Sequence, residues 1–202
     1  LDEALRALPR RTHIDYAPAQ LEAIRKAACC QALLLTGGPG TGKTTTLAGI
    51  LALLDELGQR AMLAAPTGRA AKRLTELTDR PASTIHRLLE SQFDPETGAM
   101  GFYHNEHEPL DADVMIVDET SMVDLTLMHA LLRALRPGCR LILVGDPDQL
   151  PSVGAGNLFS DLLRSERLET VRLTEIFRQA RQSLIVMNAH AVNHGQMPVL
   201  ND

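Results

Sequence analysis

A mostly parallel β-sheet covered by helices on both faces is the fold this sequence predicts, and three observations predict it. Short apolar runs without polar alternation, at 32–36, 114–117 and 141–144, read as strands buried on both sides. Helix-length segments separate them, and parallel strands need such crossovers. Three polar clusters, at 37–44, 118–121 and 145–149, directly follow predicted strands. Open α/β sheets gather ligands at the carboxyl ends of their strands, so the three clusters are expected to converge.

The elements follow in order. Residues 21–28 are expected to form a short helix opened near Pro18, 32–36 a buried strand, and 44–57 a helix stopped by Gly58. Ala61–Ala65 is the second strand. Gly68–Thr78 follows as a helix with Arg69, Lys72 and Arg73 at i, i+3 and i+4, on one face, and Ser83 is expected to cap a further helix through Glu90. Residues 91–110 break the alternation with "SQFDPETGAMGFYHNEHEPL". Its turn formers, between Phe93 and the pair Phe102 and Tyr103, predict a small inserted β-hairpin. The strand at 114–117 ends on Asp118 and leads to a helix over 125–135 that stops at "RPG". A strand over 141–144, the long loop "GDPDQLPSVGAG", a helix over 158–164, a strand over 170–173 and a helix over 183–193 complete the chain. The expected organisation is one main domain, 1–90 and 111–202, interrupted by the hairpin at 91–110.

Composition narrows the class. The chain has 202 residues, 45% apolar and 22% charged, which is ordinary for a globular domain and excludes disordered or fibrous classes. A net charge of −5 argues against coating nucleic acid by bulk electrostatics, so any such contact must be local. The apolar runs are strand length, far short of the roughly 20 residues of a membrane span. With no basic-then-apolar leader, Leu1 in place of Met at its start and "MPVLND" at its end, the chain reads as a fragment of a cytoplasmic protein with no membrane partner. Cys29, Cys30 and Cys139 show no ligand spacing and are expected to be small buried hydrophobes. His86, His104 and His107 lack partner cysteines and read as solvated or locally hydrogen-bonded side chains.

The chemistry starts at "LLLTGGPGTGKTTTLAGI". Its G-x-x-x-x-G-K-[ST] pattern, between a strand and a helix, is a P-loop in the context that motif requires. Gly38, Pro39, Gly40, Thr41, Gly42, Lys43, Thr44 and Thr45 are the expected phosphate-binding residues. Glycines let backbone N–H groups curl around phosphate oxygens, the helix N-terminus adds partial positive charge, Lys43 neutralises the phosphate tail, and the Thr44 hydroxyl ligates Mg²⁺. In "VMIVDETSM", Asp118 can hold the metal shell and Glu119 can orient or deprotonate an attacking water, which favours hydrolysis over transfer to a small acceptor. Gln149 lies where its amide could contact a γ-phosphate or that water, as a nucleotide-state sensor. Arg178 in "LTEIFRQ" suits either a transition state with spreading phosphate charge or a surface salt bridge to Glu175. "PTGRAAKRL" places a basic cluster at a helix N-terminus, suited to nucleic-acid phosphates, though a merely solvated face competes. With aromatics at 3%, base stacking is not expected to be the main grip.

In order, "GGPGTGKTT", "APTGRAAKRL", "STIHRLL", "VDETSM", "VGDPDQLPSVGAG" and "LTEIFRQ" resemble the superfamily 1 DNA helicases, most closely the RecD-like branch. The resemblance covers about residues 16–198 and implies the first of two RecA-like motor domains, using ATP and Mg²⁺ and moving 5′ to 3′ on single-stranded DNA. It implies an adenine-reading role for Gln20, phosphate and Mg²⁺ roles for Lys43 and Thr44, and metal and catalytic roles for Asp118 and Glu119. Gln149 becomes the γ-phosphate sensor and Arg178 an arginine that reaches the γ-phosphate. Thr67, Arg69, Thr84 and His86 fall on the surface that holds the DNA backbone, and the hairpin on an accessory element. The second motor domain is expected to lie outside this chain, in the same parent protein, and other recombination or repair subunits are further expected partners. Two alternatives stand beside this reading: a nucleotide-binding module with negligible turnover alone, and a P-loop kinase acting on a small molecule.

Overall fold

The computed structural model describes residues 1–93, 100–177 and 183–199. Six parallel strands form one sheet: β1 (Ala32–Gly37), β2 (Ala61–Ala65), β3 (Ala82–Thr84), β6 (Val114–Val117), β7 (Arg140–Gly145) and β8 (Glu169–Leu173). Their spatial order is β3-β2-β6-β7-β1-β8. A second, antiparallel pair joins β4 (Ser91–Phe93) to β5 (Met100–Phe102), with Ser91 opposite Phe102 and Phe93 opposite Met100. The expected α/β architecture is therefore present.

Successive residues of each strand point to opposite faces, and the core divides accordingly. Leu33, Leu35, Ile116, Ile142 and Val144 join one cluster, whereas Leu34, Met115, Val117 and Leu143 join the other. The first face is covered by α1 (Asp2–Thr12), α2 (Pro18–Cys29), α3 (Lys43–Glu56) and α4 (Gly68–Thr78), through Leu8, Ile24, Leu47, Ile50 and Leu74. The second face carries α5 (Ile85–Leu88), α6 (Leu125–Ala134) and α7 (Leu158–Ser165), through Ile85, Leu131 and Phe159. A last helix, α8 (Leu184–Asn193), has no buried residue. Burying each fully enclosed leucine contributes roughly 1.5–3 kcal/mol, so the unbroken apolar runs stabilise the centre of the sheet.

Several expectations need correction. α1 was not anticipated: Pro9 lies inside it and Leu8 is its one buried residue, so its apolar signal is weak. Ser83 does not cap a helix. It lies in β3, and Thr84 is the cap, its Oγ1 accepting from the Arg87 N–H at 3.2 Å before the four-residue α5. Cys139 is buried, but Cys29 is exposed and Cys30 half-buried, because both stand at the end of α2. His104 is locally bonded, its Nδ1 lying 2.9 Å from the Glu108 carbonyl. Among the described residues, no helix is long and apolar enough to cross a membrane.

Candidate nucleotide site

β1 delivers the chain to Gly37 at the carboxyl end of the sheet, and α3 begins at Lys43. The loop between them is held from three sides. Gly42 caps α3 with φ of 83°, and a Cβ there would stand 2.6 Å from Gln20 Nε2 and 2.8 Å from a Phe177 ring carbon. Only glycine fits that conformation and that space. At Gly38 a Cβ would come within 2.9 Å of His190 Cε1, and the His190 ring nitrogen lies 3.0 Å from the Pro39 carbonyl. Thr41 donates to the Gly38 carbonyl at 2.8 Å. Gln20, 2% exposed, accepts from the Ala17 N–H at 3.0 Å, closing the start of α2, and donates to the Gly42 carbonyl at 3.3 Å, tying α2 to the loop.

The Lys43 ammonium donates to the Gly37 and Gly38 carbonyls, the latter at 3.1 Å. Burial lowers its pKa, against the opposing fields of Asp146, Glu119 and Asp118. The ammonium thus lies over the loop at the positive end of α3, where an anion is favoured.

The acid pair stands at the end of β6. Asp118 donates its N–H to the Ala64 carbonyl at 2.9 Å, and its Oδ1 accepts from the Glu119 N–H at 2.9 Å. Burial raises the Asp118 pKa above the ordinary aspartate value, and the Glu119 N–H only partly offsets this. Glu119 has φ of 52°, in the left-handed region, and its Oε2 is buried with no hydrogen-bond partner among the described residues. A non-glycine residue there costs about 1–3 kcal/mol, a kind of strain that gathers at functional sites. The unpartnered oxygen leaves one end of the carboxylate available to something other than the protein.

Lys43, Thr44, Thr45, Asp118, Glu119 and Gln149 line a single cavity of about 900 Å³, together with residues 38–42 and Gln20. The three polar clusters therefore converge. Gln149 is exposed in the loop after β7, its N–H bonded to the Asp146 carbonyl at 3.2 Å. Among the described residues, no group of three or more His, Cys, Asp or Glu could hold a metal by itself. A Mg²⁺ ion here would need Thr44, Asp118, water and phosphate oxygens together, which is how that ion is commonly bound. The unbonded Glu119 Oε2 and the Thr44 hydroxyl on the same cavity fit such a group.

Other lining residues were missed from sequence. Arg73 turns toward the cavity with Ala70 and Leu77, so the expected single basic face of α4 is divided: Lys72 pairs instead with Glu76 at 3.9 Å in solvent. Helical spacing held the signal, since 70, 73 and 77 form one stripe. Val186 of α8 also lines the cavity, and nothing in its sequence context marked it.

The four residues expected at DNA lie apart from the cavity. Thr67 caps α4, its Oγ1 accepting from the Ala70 N–H at 3.2 Å, and Thr84 caps α5 at the end of the neighbouring strand. Arg69 and His86 are exposed beside them, with the His86 ring 6.0 Å from that of Phe102 in the hairpin. Arg178 lies outside the described residues.

Comparison with known proteins places this geometry. Residues 20–155 match the family model described as an AAA domain. The chain is 43% identical over 196 residues to the ATP-dependent RecD2 DNA helicase of Deinococcus radiodurans, covering 97% of this chain and 26% of that one. It is 49% identical over 165 residues to the RecBCD enzyme subunit RecD of Mycolicibacterium smegmatis, covering 70% of this chain and 29% of that one. Its structure is similar to that of the Pif1 helicase from Candida albicans, with a TM-score of 0.64 and 27% identity over 92% of this chain and 45% of that one. The chain thus spans about a quarter of the length of these curated relatives.

Proposed function

We propose, on the premise that the chain belongs to the AAA domain family and has a RecD-like motor fold of superfamily 1, that it is the ATP-hydrolysing first motor domain of a DNA helicase. The observation that carries this reading is the convergence of the phosphate loop, the acid pair and Gln149 on one cavity. Loop N–H groups and Lys43 bind the β- and γ-phosphates, and Gln20 fixes the loop beside the base. Thr44 and Asp118 would hold Mg²⁺, which supplies charge neutralisation at the phosphates. Glu119 orients the water that attacks the γ-phosphorus and accepts its proton as the bond to the leaving ADP breaks, and Gln149 senses whether the γ-phosphate is present. Arg178 adds positive charge to the same phosphate.

Thr67, Arg69, Thr84 and His86 hold the backbone of single-stranded DNA at the ends of β2 and β3. A second motor domain of the parent chain closes the other side of the nucleotide. Leu150 at 84% and Val153, fully exposed in the loop that carries Gln149, offer an apolar surface for it. Closure on ATP and opening after hydrolysis would then drive stepping, 5′ to 3′ by resemblance to the RecD-like branch. In the intact protein, Lys43→Ala should abolish phosphate release stimulated by single-stranded DNA. Unimpaired stimulated turnover in that variant would sink the assignment.

A further inference from the structure

We propose that Arg73 contacts the terminal phosphate of the bound nucleoside triphosphate from the α4 side of the cavity, and so discriminates triphosphate from diphosphate. The inference rests on the nucleotide reading above and adds a residue from α4, outside the phosphate loop.

α4 presents three stripes. Ala71 and Leu74 are buried in the core, Arg69, Lys72 and Glu76 face solvent, and Ala70, Arg73 and Leu77 line the cavity. Four arginines elsewhere in the domain are held by carboxylates, Arg60 by Asp111, Arg80 by Asp55, Arg133 by Glu106 and Arg136 by Asp113, and of the described arginines without such a partner Arg73 is the one that lines the cavity. The Arg73 guanidinium makes no hydrogen bond or ion pair among the described residues, so its five donors face the cavity unused.

Its field reaches the reacting end of that cavity. Arg73 lines the same cavity as Lys43, Asp118, Glu119 and Gln149. Two cations facing one space repel each other unless an anion lies between them. The loop N–H groups are placed for the inner phosphates, and the acid pair marks the terminal one. A guanidinium lining the same cavity as the acid pair is therefore suited to the terminal phosphate, whose oxygens it can take in a two-pronged hydrogen bond that an ammonium cannot reproduce.

The test compares a non-hydrolysable ATP analogue and ADP, each with Mg²⁺, titrated into the 202-residue chain and into its Arg73→Gln, Arg73→Lys and Lys43→Ala variants. Arg73→Gln keeps a polar, helix-compatible side chain at an exposed position while removing the charge, and circular dichroism should show an unchanged fold. The expected result is a loss of about tenfold or more in affinity for the triphosphate, the scale of a charged hydrogen bond, with ADP affinity unchanged and Arg73→Lys between wild type and Gln. Equal weakening of both nucleotides, or no weakening, would overturn the proposal. Lys43→Ala separates the two levels. If it destroys binding while Arg73→Gln leaves triphosphate preference intact, only the Arg73 assignment falls. If Lys43→Ala binds as wild type does, the nucleotide reading falls and takes this proposal with it.

Discussion

At the amino end of the parallel sheet, Arg60, Asp111, Asp113 and Arg136 form a closed network. Arg60 holds Asp111 through both oxygens, Arg136 reaches Asp111 at 3.1 Å and also pairs with Asp113, and the Arg60 N–H donates to Asp113 at 2.8 Å. Arg140 beside them donates to the Ala27 carbonyl at 3.1 Å, to the Ala28 carbonyl and to Gln59. At the carboxyl end, similar groups are left unmatched: Lys43 rests on backbone carbonyls, Arg73 has no partner among the described residues, and one Glu119 oxygen is buried without a hydrogen bond. A cavity exists at both ends, one lined by Asp113, Arg136 and Arg140 and the other by the phosphate loop. Charges that satisfy one another hold strands in place. Charges held apart are ready for a ligand.

The comparison breaks most visibly at Glu119. In the intact protein, Glu119→Gln should reduce ATP hydrolysis by roughly 10²- to 10⁴-fold, the range for a positioned general base, while triphosphate binding survives. Steady-state phosphate release and nucleotide titration on the same preparation check both halves. Loss of binding together with turnover would make Glu119 a structural rather than a chemical group.

Asp118 tests the strained end through stability. A carboxylate whose folded pKa is raised contributes stability below its unfolded pKa of about 3.9, and that contribution is lost as pH rises through the folded value. At pH 7 its charge therefore opposes folding. Asp118→Asn should raise the melting temperature at pH 7, with the gain shrinking in acid, and should weaken nucleotide binding only when Mg²⁺ is present. A lower melting temperature at pH 7 would show that Asp118 is as well matched as its counterparts at the other end.

Asp113 sits in the matched network and has the smallest expected effect. The Arg60 N–H, ahead of Arg136 and the Arg60 guanidinium, holds its carboxyl below the usual aspartate range. That contribution is present above the unfolded pKa and lost as pH falls through the folded one. Asp113→Asn should lower the melting temperature by a few degrees at pH 7, with the difference vanishing in strong acid, and should leave nucleotide affinity alone. Melting curves at several pH values check this.

What could be read in advance follows the same division. β1, β6 and β7 were legible because a central parallel strand is apolar on both faces, as Leu33, Leu34 and Leu35 are. β3, three half-buried residues at the sheet edge, has no such run, and its "AST" offers two adjacent hydroxyls of which only Thr84 caps the next helix. The phosphate loop was legible because its glycines and lysine are fixed by spacing along the chain. Arg73 was not, because its role depends on which side of α4 meets the cavity, and that is decided by Ala71 and Leu74 turning the other stripe inward. His190 lies 151 residues from Pro39 in sequence, and only the placement of α8 over the loop reveals the contact.

The most direct measurement of the difference between the two ends is titration of a non-hydrolysable Mg²⁺-ATP analogue into wild type, Lys43→Ala and Asp113→Asn. The account predicts saturable binding by wild type and by Asp113→Asn with the same affinity, and none by Lys43→Ala. Equal binding by all three, or loss in Asp113→Asn rather than in Lys43→Ala, would contradict it.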